Sequence, residues 1–451
     1  MSTPPQAFAP AQAILELGDA FYDPVAPADF PQAKLRFRND RWAARVGLGD
    51  LDDAQWVRHF ARFAPLPGTL PRPLALRYHG HQFRVYNPDI GDGRGFLYAQ
   101  LRDDRGRLLD LGTKGSGQTP YSRFGDGRLT LKGGVREILA TEMLEALGVE
   151  TSKSFSLIET GEALDRGDEP SPTRSAVLVR LSHGHIRIGS FQRLAYHRDT
   201  DDLARLTDYV LRHYFDDASG DPVRLLDAVV ARTARLAGQY MAAGFVHGVL
   251  NSDNINVTGE SFDYGPWRFL PSWDPGFTAA YFDHAGLYAF GRQPEAIHWD
   301  VFQLAICLRL LVDSAPLIPI MESFAQRYAE AFRAALLWRL GVAPGADDAA
   351  LVEAIEHGLA TSQVDVASFF HQSFGGRIPD ALGPAFAEAR GLLLGYRPRT
   401  SRDAFWDGPV CAMLIEEVEA LWAAIAERDD WGPFAAKITA IRAMGDALAD
   451  A

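Results

Sequence analysis

The hydrophobic positions of the chain follow two different patterns, one before and one after about residue 200. Between residues 73 and 190, short apolar runs at 95–101, 108–111, 154–159 and 176–181 are separated by glycine clusters. This pattern predicts β-strands. In the same region, segment 134–147 has apolar residues at helical spacing and is followed by Gly148, which predicts an amphipathic helix that ends at that glycine.

Helical spacing dominates the second half of the chain. It predicts helices at 202–215, 223–243, 300–312, 319–340, 349–359, 384–394, 410–426 and 432–448, with one β-like interruption at 255–269. A further helix is expected at 52–64. We therefore expect an α+β protein with an N-terminal wrap (1–70), a strand-rich region (71–200) and a helical region (201–451). The binding site is expected in the cleft between the last two regions.

Composition limits the classes of protein to consider. The chain has 451 residues, of which 47% are hydrophobic and 23% charged, as in folded globular proteins and unlike fibrous or disordered chains. Its 45 basic and 58 acidic residues give a net charge of −13, so the molecule as a whole repels polyanions. We expect no nucleic-acid partner, and a bound nucleotide would need cations gathered locally.

The cysteines and the apolar runs indicate the cellular setting. Cys307 and Cys411 are too few for a disulfide framework, have no CxxC spacing, and are expected to be buried structural residues. The first residues lack the pattern of a secretory signal, and no apolar run is long enough to span a bilayer. We expect a cytoplasmic protein without membrane contact.

The segment 247–265 contains the first candidate site. A hairpin centred between Thr258 and Gly259 would place Asn254 opposite Asp263 across an antiparallel pair, where both side chains could share one cation. Their oxygen atoms suit Mg²⁺, and protein kinases hold their metal ions with an Asn and an Asp-x-Gly of this kind. An ordinary surface hairpin whose Asn and Asp form turns remains the alternative.

A lysine and a glutamate form the second candidate. Lys114 ends a predicted strand, and Glu137 follows 23 residues later, at the edge of the apolar face of the predicted helix. In kinases, a helix glutamate orients the lysine that holds the phosphates of the nucleotide. The alternative for Glu137 is a solvated helix charge.

Glycines and arginines supply further phosphate-binding candidates. Two Gly-Asp-Gly-Arg clusters, at 91–94 and 125–128, combine close backbone approach with guanidinium donors, although Asp-Gly is also a common turn. Arg180 and Arg187 are seven residues apart and would face opposite sides of a straight strand. They can meet at one anion only if the chain bends near Gly184, and the alternative is that both are exposed charges.

The expected catalytic base of a kinase is absent. Kinases of small molecules have His-x-Asp in the catalytic loop, whereas Val249 stands two residues after His247. Asp253 is the carboxylate that could replace the base, and His247 is expected to orient the loop. On these residues the chain is a pseudokinase.

Taken together, the motifs resemble those of the selenoprotein O family of protein adenylyltransferases, which includes bacterial proteins. The motifs that carry the resemblance are Gly80-His81-Gln82-Phe83, Gly91-Asp92-Gly93-Arg94, 114–123, 125–128, Arg136-Glu137, 247–254 and 263–266.

The resemblance implies a kinase-like bilobal fold, with a strand-rich N-lobe and a helical C-lobe that carries the catalytic and metal hairpin. It implies that ATP binds upside down, with the γ-phosphate buried, and that AMP is transferred to a Ser, Thr or Tyr hydroxyl of another protein. Asp253 would be the general base, and Asn254 and Asp263 would hold Mg²⁺, or Mn²⁺ in its place. The implied nucleotide-binding residues are Gly91, Gly93, Arg94, Lys114, Asp126, Gly127, Glu137, Arg180, Arg187 and Asp263.

Two other functions agree with the same residues. A pseudokinase scaffold would bind ATP without catalysis, and a phosphotransferase would transfer the γ-phosphate instead of AMP.

Overall fold

The computed structural model describes residues 6–167, 169–400 and 402–449. Most strands lie in the first half of the chain. They are β1 (Ala9–Ala11), β2 (Tyr22–Pro24), β3 (Lys34–Arg38), β4 (Leu74–Leu76), β5 (Gly80–Gln82), β6 (Val85–Asn87), β7 (Leu97–Arg102), β8 (Leu108–Lys114), β9 (Leu129–Thr130), β10 (Lys153–Leu164), β11 (Thr173–Ser182), β12 (Phe245–Val246) and β13 (Arg268–Phe269).

The helices lie mainly in the second half. They are α1 (Asp40–Arg45), α2 (Asp53–Phe60), α3 (Leu131–Ala146), α4 (Ile188–His197), α5 (Thr200–Tyr214), α6 (Pro222–Ala243), α7 (Gln293–Leu308), α8 (Ile318–Glu322), α9 (Phe324–Leu340), α10 (Asp348–Ser362), α11 (Val366–Ser373), α12 (Ala387–Leu393), α13 (Ile415–Arg428) and α14 (Gly432–Ala449). Short 3₁₀ helices occur at Ala13–Leu17, Ser252–Asn254, Phe290–Arg292, Asp380–Leu382, Pro384–Phe386 and Ala404–Asp407.

A nine-stranded antiparallel sheet organises the first half. Its path is β2-β4-β7-β8-β11-β10-β3, with β1 paired to β7 and β9 paired to β11. Side chains alternate between the two faces of a strand. On one face, Leu157 and Leu178 belong to the same core cluster as Ile138 of α3. The register of β10 shifts between Ser154 and Ser156, so Phe155 lies on the other face, where it stacks on Trp56 of α2 with ring centroids 5.0 Å apart.

Helix α3 lies directly on the sheet because of its sequence. Thr130 caps its first turn by accepting a hydrogen bond from the Gly133 amide. A Cβ atom at Gly134 would lie 2.3 Å from a methyl group of Leu157, so only glycine permits this close approach. Gly148, with a φ of +75°, follows the helix and ends it as predicted.

Packing of long helices forms the core of the second half. The longest of them, α6, packs against α7 and α9, and the C-terminal helices α13 and α14 return to pack on α3. Arg442 of α14 makes two hydrogen bonds of 2.7 Å to the carboxylate of Glu142 of α3. The end of the chain is thereby joined to the strand-rich region.

The predicted strands and most of the predicted helices are confirmed within a few residues, and the mixed α/β architecture with them. The helix expected at 319–340 is instead two helices that meet at Ser323, and the one expected at 410–426 begins only at Ile415. The segment expected to be β-like at 255–269 contains only the two-residue strand β13. The helix expected at 300–312 lies earlier, at Gln293–Leu308, and helices α1, α4 and α11 were not predicted.

Both cysteines are buried and free, as expected. None of the helices in the described ranges is long and apolar enough to cross a membrane.

Candidate functional site

A cavity of about 640 Å³ opens between the sheet, the loops at 90–94 and 121–128, and the segment that follows β12. Most of the site residues predicted from the sequence line it. They are Gly91, Gly93, Arg94, Lys114, Asp126, Gly127, Arg180, Arg187, Asp253 and Asp263.

Asp263 lies at the centre of the cationic part of this cavity. Its Oδ1 atom is 3.0 Å from Nη1 of Arg180 and 3.1 Å from Nζ of Lys114, and its Oδ2 atom is 4.0 Å from Nη1 of Arg187. Burial alone would raise the pKa of this carboxyl group, but the neighbouring cations, Lys114 foremost, hold it well below its usual value. Asp263 is therefore ionised, and it neutralises part of a dense positive cluster.

Lys114 is held from two sides. It ends β8, and its ammonium group forms an ion pair with Glu137 of α3 as well as with Asp263. The side chain of Glu137 is only 1% exposed, and its Oε2 atom has no hydrogen-bond partner among the residues that the structure describes. The predicted pairing is confirmed, and a solvated helix charge is excluded.

The chain bends between the two arginines, which meets the condition stated for them to converge. Strand β11 ends at Ser182, Gly184 adopts a φ of +83°, and α4 begins at Ile188. A Cβ atom at Gly184 would lie 2.4 Å from the ring of Tyr214, so the bend needs glycine. Arg180 and Arg187 consequently converge on one carboxylate. Their Nε atoms are buried and have no partner within the described ranges, which leaves donors for an anion.

Close packing explains the glycines of the two Gly-Asp-Gly-Arg clusters. A Cβ atom at Gly91 would lie 2.5 Å from the ring of Tyr121. Gly127 has a φ of +69°, and a Cβ atom there would lie 2.2 Å from the backbone of Gly117. The two loops therefore pack tightly together along one side of the cavity.

The pairing predicted for segment 247–265 is wrong. The structure pairs Phe245 with Phe269 and Val246 with Arg268, and the described residues contain no ladder between positions 254 and 263. The backbone of the segment bonds to other parts of the chain instead: Val257 to Ile186, and Ser261 to Glu150 and Ser152. These long-range hydrogen bonds replace the local hairpin.

Asn254 sits in a short 3₁₀ helix rather than in a strand. Its Nδ2 atom donates a hydrogen bond of 2.9 Å to the Val249 carbonyl, so Oδ1 is the side-chain atom left for a metal ion. That Asn254 and Asp263 share a cation stays a prediction. In the part of the chain that the structure describes, no group of three or more His, Cys, Asp or Glu residues is arranged to hold a metal.

Asp253 has the surroundings of a base. Burial raises the pKa of its carboxyl group to about 6, although the positive charge of Arg187 opposes the shift. Its Oδ1 atom has no hydrogen-bond partner among the described residues. His247 is fully buried, and its Nε2 atom donates to the Phe262 carbonyl at 3.1 Å, which fits the expected role in orienting the loop.

Sequence reasoning missed several residues of the site. Tyr78 and Gln82 line the cavity without belonging to a charged motif. Asp92 lies 3.5 Å from Arg187, and its position inside the first Gly-Asp-Gly-Arg cluster was the signal that could have identified it. Arg166 belongs to none of the motifs, and it reaches Asp126 at 2.9 Å beside the cavity.

Comparison with known proteins places these residues in a family context. The family model described as protein adenylyltransferase SelO matches residues 7–375. The protein nucleotidyltransferase YdiU of Synechocystis sp. is 44% identical over an alignment 458 positions long, gaps included. The alignment covers 94% of this chain and 95% of that protein. The protein of the same name in Gloeobacter violaceus is 45% identical over an alignment 453 positions long, which covers 94% of this chain and 92% of that protein. The one in Azotobacter vinelandii is 37% identical over 410 residues, with coverages of 90% and 82%. The similarity extends through both the strand-rich and the helical halves.

Proposed function

Because the chain belongs to the SelO family of protein adenylyltransferases and is a protein nucleotidyltransferase, we propose that it transfers AMP from ATP to Ser, Thr or Tyr hydroxyl groups of other proteins. The resemblance noted in the motifs is thereby confirmed. The observation that carries the proposal is the convergence of Lys114, Arg180 and Arg187 around Asp263 in the cavity.

We propose that ATP enters with its triphosphate first. Arg180 and Arg187 are 5% and 2% exposed, so they are desolvated donors with unused Nε atoms. The β- and γ-phosphates would carry several negative charges to these donors, and charge-assisted hydrogen bonds are strongest where water is excluded. An adenine ring offers no negative charge to the same groups. This contrast supports an orientation in which the α-phosphate faces the acceptor.

A divalent cation would complete the charge balance. Asn254 and Asp263 offer the hard oxygen atoms that Mg²⁺ prefers, and Mn²⁺ accepts the same ligands. Because these two residues supply few ligands, phosphate oxygens and water would fill the rest of the shell. When bound, the ion neutralises phosphate charge and polarises the phosphoryl oxygen atoms.

Asp253 would accept the proton of the acceptor hydroxyl. In the reaction, the hydroxyl oxygen forms a bond to the α-phosphorus, the bond to the bridging oxygen of the β-phosphate breaks, and pyrophosphate leaves. The proton of the hydroxyl passes to the carboxylate of Asp253. The pKa of Asp253 is raised to about 6, and a base with a pKa near the working pH is the most efficient one.

We propose the architecture of a kinase with two lobes, in which 71–200 form the N-lobe, 201–451 the C-lobe and 1–70 a wrap around them. The antiparallel sheet with α3 and its Lys114–Glu137 pair supports the first lobe, and the packed helices support the second. The cytoplasmic setting and the lack of nucleic-acid and membrane partners stay predictions.

Labelled ATP tests the proposed function. The protein is incubated with a cell lysate and ATP labelled either at the α- or at the γ-phosphate, with and without Mg²⁺. We expect label in protein from the α-position only, dependent on Mg²⁺ and lost in Asp253→Ala. Label from the γ-position would instead identify a phosphotransferase, and nucleotide binding without any labelled protein would identify a scaffold.

A further inference from the structure

The motif Gly80-His81-Gln82-Phe83 has no assigned role in the proposed reaction, although Gln82 lines the cavity. In the structure it forms most of a hairpin, in which β5 pairs with β6 through Gly80–Asn87, His81–Tyr86 and Gln82–Val85. This hairpin lies on the loop that carries the proposed base. The His81 amide donates to Oγ of Ser252 at 2.7 Å, and the Phe83 amide donates to Oδ1 of Asn251 at 3.0 Å.

The turn of this hairpin is strained and firmly anchored. Phe83 and Arg84 have φ values of +50° and +62°, although neither is a glycine. Left-handed backbone in such residues costs on the order of 1 kcal/mol or more each and persists where the surroundings enforce it. The Phe83 ring lies 5.0 Å from that of Tyr288, and Arg84 pairs with Glu295 at 2.9 Å. The tip of the hairpin is thus held in place from the helical half.

The hairpin contacts the carboxylate of Asp253 at both oxygen atoms. A Cβ atom at Gly80 would lie 2.9 Å from Oδ1, so the backbone of β5 closes this side of the carboxylate. The Nε2 atom of Gln82 lies 3.5 Å from Oδ2. The orientation of the Gln82 amide is set by Asn87, whose Nδ2 atom donates to Oε1 of Gln82 at 3.1 Å. The amide nitrogen is therefore directed toward Asp253.

We propose that the β5–β6 hairpin is a positioning element for the general base, in which Gly80 and the Gln82 amide hold the Asp253 carboxylate in the orientation that accepts the proton of the acceptor hydroxyl. This inference rests on the proposed function. A displacement of a catalytic group by about 1 Å can cost about 100-fold in rate, so a neighbour that fixes the carboxylate has a measurable effect on turnover.

Gln82→Met separates positioning from mere packing. The substitution keeps about the length of the side chain, but it removes the amide donor that faces Asp253 and adds no charge. A hairpin that only fills space tolerates this change. A hairpin that positions Asp253 through the Gln82 amide does not.

The test compares wild type, Gln82→Met, Gln82→Ala, Gly80→Ala and Asp253→Ala for AMP transfer from α-labelled ATP, for nucleotide affinity and for Tm. Val85→Thr is the matched control, because Val85 belongs to the same hairpin but is 69% exposed. We expect kcat to fall by about 10- to 100-fold in Gln82→Met and in Gln82→Ala. Nucleotide affinity, KM for ATP and Tm stay near the wild-type values. The Cβ atom added in Gly80→Ala would press on the same carboxylate from the other side. We therefore expect kcat to fall in this variant too.

Three results would overturn the inference. Gln82→Met with wild-type kcat would show that the hairpin does not position Asp253. A loss of kcat matched by an equal loss of nucleotide affinity or by a large fall in Tm would show a binding or structural role instead. Failure of the wild-type protein to transfer AMP would remove the proposed function and this inference with it, whereas wild-type transfer that requires Asp253 but not Gln82 would remove the inference alone.

Discussion

Arg180 and Asp263, which are 83 residues apart in the chain, are joined by a hydrogen bond of 3.0 Å between Nη1 and Oδ1. The bond connects the sheet to the segment after β12, and Lys114 meets the same oxygen atom at 3.1 Å. A carboxylate shared by several cations competes with a phosphate for them. In the proposed complex, Asp263 would instead hold the metal ion, and Arg180 and Lys114 would be left to bind the phosphates.

If Asp263 binds a metal ion in place of Arg180 and Lys114 when ATP is bound, its substitution should change how Mg²⁺ affects nucleotide affinity. In Asp263→Asn, we expect Mg²⁺ no longer to increase the affinity for ATP, because the amide is a weaker ligand than the carboxylate. In the presence of EDTA, the variant should bind ATP at least as tightly as wild type, because the cations lose a competing carboxylate. Calorimetric titration with ATP in both buffers measures this. An affinity that still depends on Mg²⁺ as in wild type would contradict the assigned metal ligand.

Substitution of Asp253 should impair turnover rather than nucleotide binding. We expect Asp253→Asn to bind ATP and Mg²⁺ as wild type does and to lose AMP transfer by about 10²- to 10⁴-fold, the usual effect of removing a general base. Turnover with α-labelled ATP and titration with unlabelled ATP measure the two quantities on the same sample. Equal losses of affinity and of turnover would place Asp253 among the nucleotide-binding groups instead.

Substitutions of Lys114 and Glu137 should affect the stability of the protein and its affinity for ATP differently. Lys114→Met leaves Glu137 buried without its cation, and breaking a buried ion pair in this way costs up to about 3–5 kcal/mol in the free energy of unfolding. Adding Glu137→Gln removes the stranded charge and should restore most of that stability, but not the affinity for ATP. Urea denaturation and nucleotide titration of the single and double variants are the measurements. A double variant no more stable than Lys114→Met would contradict the prediction.

Glu260 predicts how stability depends on pH. Burial raises the pKa of its carboxyl group to about 7 from an ordinary value of 4.5, although Lys153 opposes the shift. Between these two values the folded state binds more protons than the unfolded state, so the contribution of this group is present at low pH and is lost as the pH rises through 7. Its size is on the order of 1–3 kcal/mol.

The substitution Glu260→Gln removes this dependence. The difference in Tm between the variant and wild type should become more positive from pH 5 to pH 8. Glu388→Gln, at an exposed position of α12, serves as the control and should show no such trend. A difference for Glu260→Gln that is the same at both pH values would show that the carboxyl group titrates normally.

Two ion pairs of α14 predict unequal effects on stability. Arg442 binds the carboxylate of Glu142, which is 5% exposed, whereas Arg41 and Asp446 are 55% and 62% exposed. We expect Arg442→Ala to lower the free energy of unfolding by about 1–3 kcal/mol, because it strands a buried carboxylate. Arg41→Ala should cost less than about 1 kcal/mol. Equal effects in chemical denaturation would mean that the burial of Glu142 plays no part.

Features of this protein that local patterns determine were predictable from the sequence. Helix α3 has both the apolar spacing and the terminal Gly148, and its glutamate could be proposed as the partner of Lys114 by analogy with kinases. A bend near Gly184 could be named as the condition for Arg180 and Arg187 to meet, because a straight strand would separate them.

Features that depend on distant partners were not predictable. The segment after β12 bonds to residues 150–152 and 186–188 rather than to itself, and no local pattern reports such partners. The turn at Phe83 and Arg84 contains no glycine although both residues have left-handed backbone, and its partners Tyr288 and Glu295 are distant in the chain. The division of α8 from α9 at Ser323 likewise interrupts a continuous helical pattern.

The orientation of the bound nucleotide tests the central claim most directly. A crystal structure with a non-hydrolysable ATP analogue and Mn²⁺, whose anomalous scattering locates the ion, gives the positions of all three phosphorus atoms. We predict the γ-phosphate within hydrogen-bonding distance of Arg180 and Arg187, the ion between Asn254 and Asp263, and the α-phosphate beside Asp253. An adenine ring against the two arginines, or a nucleotide bound outside this cavity, would contradict the account.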